Sequence, residues 1–110
     1  MKTHNLEKIP LIREKLSFRQ DKRGFITIDI ENKGFFAKIT QRFFHKPKIS
    51  HIHLDETGSY IWRSIDGERT VRQIADIIED NFGERAKPYY ERTERYFKSL
   101  YEYGFIKWKK

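Results

Sequence analysis

Leu54–Gly67 reads LDETGSYIWRSIDG, and the sequence changes character across it. Upstream, apolar residues alternate at strand spacing; downstream, they recur at helical spacing. The stretch itself carries the marks of a short helix. Asp55 is placed as an N-cap, accepting from a free amide of the first turn, with Thr57 a second candidate. Asp66-Gly67 supplies the stop, because Gly67 can take the positive φ of a C-terminal cap. Tyr60, Ile61, Trp62 and Ile65 give one apolar face. Gly58 costs about 1 kcal/mol against Ala in such a helix, so its presence implies close approach by another backbone.

Upstream, Ile49–Leu54 (ISHIHL) is expected as a strand with Ser50, Ile52 and Leu54 on one face and Ile49, His51 and His53 on the other. The run His45-Lys46-Pro47-Lys48 breaks the pattern before it, since Pro47 cannot donate to a ladder. Phe25–Ile30 and Phe35–Phe44 both alternate, and the turn residues Glu31-Asn32-Lys33-Gly34 between them predict a hairpin. Lys15–Gln20 adds a half-buried strand with Leu16 and Phe18 two apart. Residues 1–12 are polar, aperiodic and contain Pro10; they are expected to be a flexible arm preceding a domain over 13–110.

Downstream, Thr70 caps a helix whose core positions are Val71, Ile74, Ile77, Ile78 and Phe82, and Gly83 ends it. The last helix is expected from Arg85 to about Tyr103, closed by Gly104. Ala86, Tyr90, Thr93, Phe97 and Leu100 share a face, with Tyr89, Tyr96 and Tyr103 as an adjoining stripe. Phe105–Lys109 reads as a short terminal strand. Strands followed by helices give an α+β domain of winged helix–turn–helix-like order: an N-terminal antiparallel sheet of three to four strands packed on three helices.

Composition narrows the function. With 110 residues the chain holds one modest core. The absence of cysteine excludes a disulfide framework, a thiolate nucleophile and cysteine-ligated metal. No apolar run suits a membrane span or a secretion signal, so the cytoplasm is the expected location. The net charge of +7 raises nucleic acid as a partner, but the charge is segregated. Residues 55–84 are net acidic, while the segments on either side are net basic.

Candidate chemistry follows from these patterns. His45, His51 and His53 could begin a metal site, yet no carboxylate or further histidine stands at a convincing ligand spacing. The plain reading is strand histidines on an exposed or partner-facing side. No strained serine elbow, P-loop or Gly-rich nucleotide motif is present, so neither catalysis nor a cofactor is expected. A basic hairpin could be a DNA-contacting wing. However, the would-be recognition helix, Thr70–Phe82, carries Arg72 against Asp76, Glu79 and Asp80, which repels phosphate. Peptide binding fits better. An edge at Ile49, Ser50, His51, Ile52, His53 and Leu54 can accept an extended peptide by strand addition. Tyr89, Arg92 and Tyr96 of the last helix would form the opposite wall, basic enough to suit an acidic segment. The alternatives are a DNA-binding protein, or a structural or dimerising module in which the tyrosines cover the core or a subunit contact. As a peptide binder the chain is expected to be a monomer or weak homodimer.

The run L-D-E-T-G-x-x-I-W-x-x-I-D-G, followed by R-T-V-x-x-I-A, resembles the signature of the PqqD-like family. The resemblance implies a winged helix–turn–helix-like module that recognises the leader of a ribosomally made precursor peptide. Such modules present the precursor to a modifying enzyme, often a radical SAM enzyme, without catalysing anything themselves. It implies that the leader adds to Ile49–Leu54 and lies against the helix Arg85–Tyr103. Leu54, Gly58, Trp62, Asp66, Gly67, Thr70, Val71, Ile74 and Ala75 are then structural.

Overall fold

The computed structural model describes residues 5–31 and 49–110. Strands β1 (Pro10–Ile12), β2 (Ser17–Gln20), β3 (Ile26–Glu31) and β4 (Ile49–His53) precede helices α1 (Glu56–Ser64) and α2 (Val71–Phe82). A 3₁₀ turn (Gly83–Ala86), helix α3 (Tyr89–Glu102) and strand β5 (Ile106–Trp108) follow. Among the described residues the fold is α+β, with two antiparallel sheets and three helices. One sheet has the order β2-β3-β4 and the other pairs β1 with β5. The returning strand expected over Phe35–Phe44, and the turn before it, lie outside the described residues. Within them, β3 is the central strand, flanked by β2 and β4.

The alternation in β3 decides which way the sheet faces. Ile26, Ile28 and Ile30 are buried against the helices, joined by Ile61 and Trp62 of α1, Val71, Ile74 and Ile78 of α2, and Phe97 and Leu100 of α3. Opposite Ile28 in the ladder stand Phe18 and Ile52. The Phe18 ring meets Trp62 edge-on at 5.4 Å, which carries the core to the rim of the sheet.

The helix ends follow the sequence at several points. Asp55 accepts from the Gly58 amide at 2.7 Å as N-cap of α1. Thr70 and Gln73 form a reciprocal capping box at the start of α2. Gly83 and Gly104 both take positive φ, as expected of residues closing helices. Two boundaries move. Helix α1 stops at Ser64, before Asp66-Gly67. The Asp66 carboxylate accepts from the amides of Arg69 and Glu68, and those bonds hold it below the usual carboxylate range. The segment from Arg85 is not yet the last helix: Gly83–Ala86 is a 3₁₀ turn, and α3 begins at Tyr89 after Pro88. This fits the exclusion of proline from helix interiors.

The flexible arm expected over residues 1–12 is corrected over its described part, residues 5–12. From Asn5 onward this segment is part of the domain. Leu6 is 3% exposed and belongs to the core. Pro10–Ile12 pair with Ile106–Trp108 in the register Pro10↔Trp108 to Ile12↔Ile106. The carbonyls of Lys8 and Leu6 accept from the amides of Val71 and Arg72 at 2.9 and 2.8 Å, satisfying free donors of the first turn of α2. The apolar residues 6 and 9–12 have neither strand nor helix period.

Candidate functional site

The expected edge strand, Ile49–Leu54, forms as β4 from Ile49 to His53. Its register with β3 fixes which backbone groups face outward. The Leu54 amide donates to the Ile26 carbonyl at 2.9 Å, so that pair is hydrogen-bonded. Antiparallel ladders alternate, so the amides and carbonyls of Ile52 and Ser50 also point into the sheet. Those of Ile49, His51 and His53 point away from it. Among the described residues no strand pairs with this outer edge.

The inner end of the edge is held by a residue the sequence reading missed. Ser59, buried in α1, receives the Ile26 amide on its hydroxyl at 2.9 Å and donates to the Leu54 carbonyl at 3.2 Å. The hydroxyl thus bridges the second rung of this pair, from the Ile26 amide to the Leu54 carbonyl, and ties both strands to the helix. Arg63, one turn on, donates to the Gly24 carbonyl at 3.0 Å and fixes the β2–β3 turn to the same helix. A serine inside an apolar helical run, where serine is a middling helix former, was the available signal.

The two faces of β4 differ as the alternation predicts. Ile52 and Leu54 pack against the core. His51 and His53 are exposed on the opposite face. The His51 Nδ1 lies 2.5 Å from the Asp29 carboxylate, and the His53 Nδ1 lies 2.9 Å from the Thr27 hydroxyl. Arg19 of β2 donates Nε and Nη2 to the two oxygens of Asp29 at 2.9 and 3.0 Å. Arg19 first, and His51 second, hold Asp29 below the usual carboxylate range. Among the described residues no group of His, Asp and Glu side chains is arranged to hold a metal ion.

The wall expected from the last helix divides. Tyr96 comes to the junction of β4 and α1. A Cβ placed on Gly58 would lie 2.5 Å from the Tyr96 hydroxyl oxygen and 2.9 Å from the Asp55 carboxylate. The close approach implied by Gly58 is therefore a side chain, the Tyr96 phenol, and not a backbone. Burial first, and the Asp55 charge second, push the Tyr96 phenol well above its ordinary range. Tyr89 and Arg92 are engaged elsewhere. The Tyr89 hydroxyl donates to Glu79 of α2 at 2.6 Å, a bond that with burial pushes it up to about 12. Arg92 donates to the Arg85 carbonyl at 3.0 Å and braces the 3₁₀ turn. The structure thus brings Leu54, Asp55, Gly58 and Tyr96 together, while Tyr89 and Arg92 lie toward the start of α3. The side chains of Ile49 and Ser50 fall outside the described residues.

This contact gives a test. Gly58→Ala recovers about 1 kcal/mol of helix propensity, but its methyl meets the phenol of a half-buried, rigid tyrosine. A net loss of about 1–2 kcal/mol is expected in urea unfolding. Tyr96→Phe removes the nearest atom, and the Tyr96 hydroxyl has no hydrogen-bond partner among the described residues. The double variant should regain roughly half of the loss. Simple additivity would show that Gly58 is there for another reason.

The surface of α2 also bears on nucleic acid. Tyr90 and Tyr89 donate to Asp76 and Glu79, and Arg72 is bonded to Glu7. The helix in the recognition position thus offers carboxylates, and its one arginine is paired.

The described residues form a small α+β module in which a sheet edge that no described strand pairs lies beside a helix. The chain belongs to the PqqD family: the family model for Coenzyme PQQ synthesis protein D (PqqD) matches residues 44–106. That match takes in β4, all three helices and the start of β5, and leaves β1 to β3 outside it. Membership supports, in general terms, an accessory, peptide-binding role in biosynthesis. No curated protein matches the chain. Among the described residues no helix is long and apolar enough to cross a membrane.

Proposed function

We infer that this chain is a non-catalytic peptide chaperone. It binds the leader of a ribosomally made precursor peptide as an added strand on β4 and presents the precursor to a modifying enzyme of the radical SAM class. The observation that carries this is the outward set of amides and carbonyls at Ile49, His51 and His53, on a strand whose other edge is locked by β3 and Ser59. Such an edge gives affinity through the backbone and selection through alternate side chains. Ile52, Leu54 and Tyr96 supply the apolar side, and family membership supplies the biosynthetic setting.

Proline scanning tests it, and the register dictates where. Proline at Ile52 would remove an amide bonded within the sheet and damage the fold. Proline at His51 removes an outward amide, which an edge strand tolerates. His51→Pro is expected to unfold at a denaturant concentration close to that of the parent chain. It should weaken binding of the cognate leader at least about tenfold, read from amide shifts of β4 and α3. Undiminished binding by His51→Pro, or leader-induced shifts confined to β2, would refute strand addition on β4.

A further inference from the structure

The two faces of β4 place different demands on an added strand. Residues of the incoming peptide opposite His51 and His53 present their side chains on the same face as the imidazoles, about 5.5 Å away between Cβ atoms. The residues between them turn toward Ile52, Leu54 and Tyr96. Resting on the strand-addition reading above, we propose that this edge selects an extended peptide with carboxylate side chains at alternate positions and apolar residues between them, and that it holds that peptide more tightly as His51 and His53 gain protons.

The charged and titratable groups described on this face enter the argument, together with the Thr27 hydroxyl; Ser17 of β2, opposite Asp29, adds no charge. From β3, Asp29 faces His51 and Thr27 faces His53. From β2, Arg19 covers both oxygens of Asp29. Asp29 alone would repel an acidic strand, but Arg19 already neutralises it. When His51 is protonated, one carboxylate lies between two cations, and a unit of positive charge is left at the sheet edge. His53 shares its ring only with a hydroxyl, so its proton adds charge that no described group cancels. Both rings are exposed and one strand closer than Asp29 to the outer edge of β4, which no described strand pairs. Imidazoles change charge between about pH 5 and 8, whereas peptide glutamates stay ionised down to about pH 4.3. Attraction is therefore added when the two imidazoles take up protons and removed when they release them. The apolar side of the edge does not titrate there.

The test uses the full chain and two synthetic peptides: one alternating Glu with Leu, and its counterpart with Gln in place of Glu. Each is titrated at about pH 5.5 and about pH 7.5 while amide signals of β4 are followed. The Glu peptide is expected to bind about fivefold more tightly at the lower pH, and the Gln peptide equally at both. The double variant His51→Gln, His53→Gln should lose the pH dependence of Glu-peptide binding. If both peptides perturb β4 with the same affinity and pH response, the carboxylate preference is wrong while strand addition stands. The same holds if the double variant keeps the acid tightening. If neither peptide perturbs β4 at either pH, the preference and the strand-addition reading both fall.

Discussion

A chain lacking residues 1–12 is expected to be unfolded, not trimmed. The family model begins at residue 44, and the sequence of the first twelve residues resembles a tail, so deletion would look harmless. The contacts say otherwise. Leu6 is in the core, and removing a fully buried leucine of this kind costs about 2–4 kcal/mol by itself. Pro10–Ile12 are the strand partner of β5, so Ile106, fully buried, would lose its cover. The amides of Val71 and Arg72 would lose their acceptors at the start of α2. Glu94, 4% exposed, would lose the Asn5 amide that donates to it at 2.8 Å and become a buried carboxylate without that bond. The sum exceeds about 5 kcal/mol, the whole stability of a small domain. Near-ultraviolet circular dichroism and urea unfolding decide it. A truncated chain with a cooperative transition at the parent midpoint would overturn the assignment. Leu6→Ala, which leaves the strand in place, should shift the midpoint by its own share and keep the transition cooperative.

This expectation marks where the sequence was readable and where it was not. Elements built on one period could be read: β3 with its buried isoleucines, α2 with its capping box, and the alternation of β4 that separates Ile52 from His51 and His53. Ends set by local chemistry could also be read, as at Asp55, Thr70, Gly83 and Gly104. What could not be read was set by distant partners. Leu6 answers to the core and the Lys8 carbonyl to α2, and no local period joins them. Tyr89 and Tyr96 share a heptad spacing, yet one is bonded to Glu79 and the other is pressed on Gly58, because α3 crosses two different elements along its length. The candidate site was therefore legible as a strand and as a helix. Which helix residues reach the strand depends on the crossing, which a single sequence does not encode.

Ser59 gives the sharpest test of how the site is held. Ser59→Ala is expected to cost roughly 2–4 kcal/mol, although it exchanges one small helix residue for a better helix former. The reason is the rung it completes. Without the hydroxyl, the Ile26 amide loses its partner in a buried place and the Leu54 carbonyl in a half-buried one, and each such group costs about 1–3 kcal/mol when fully buried. The strands are already joined by the Leu54 amide and the Ile26 carbonyl, and they cannot simply close to make the second bond of the pair, because Leu54 runs at once into Asp55, whose side chain is fixed as the cap of α1. Ser64 is the control. It is buried in the same helix, but its hydroxyl donates to the Tyr60 carbonyl within that helix, so Ser64→Ala should cost less than about 1 kcal/mol. Amide exchange at Ile26 should quicken in the first variant and not in the second. Equal losses in the two would mean that Ser59 is only a small residue in a tight place. A large loss at Ser59 alone would mean that α1 holds the last rung of the sheet, and through it the edge offered to a peptide.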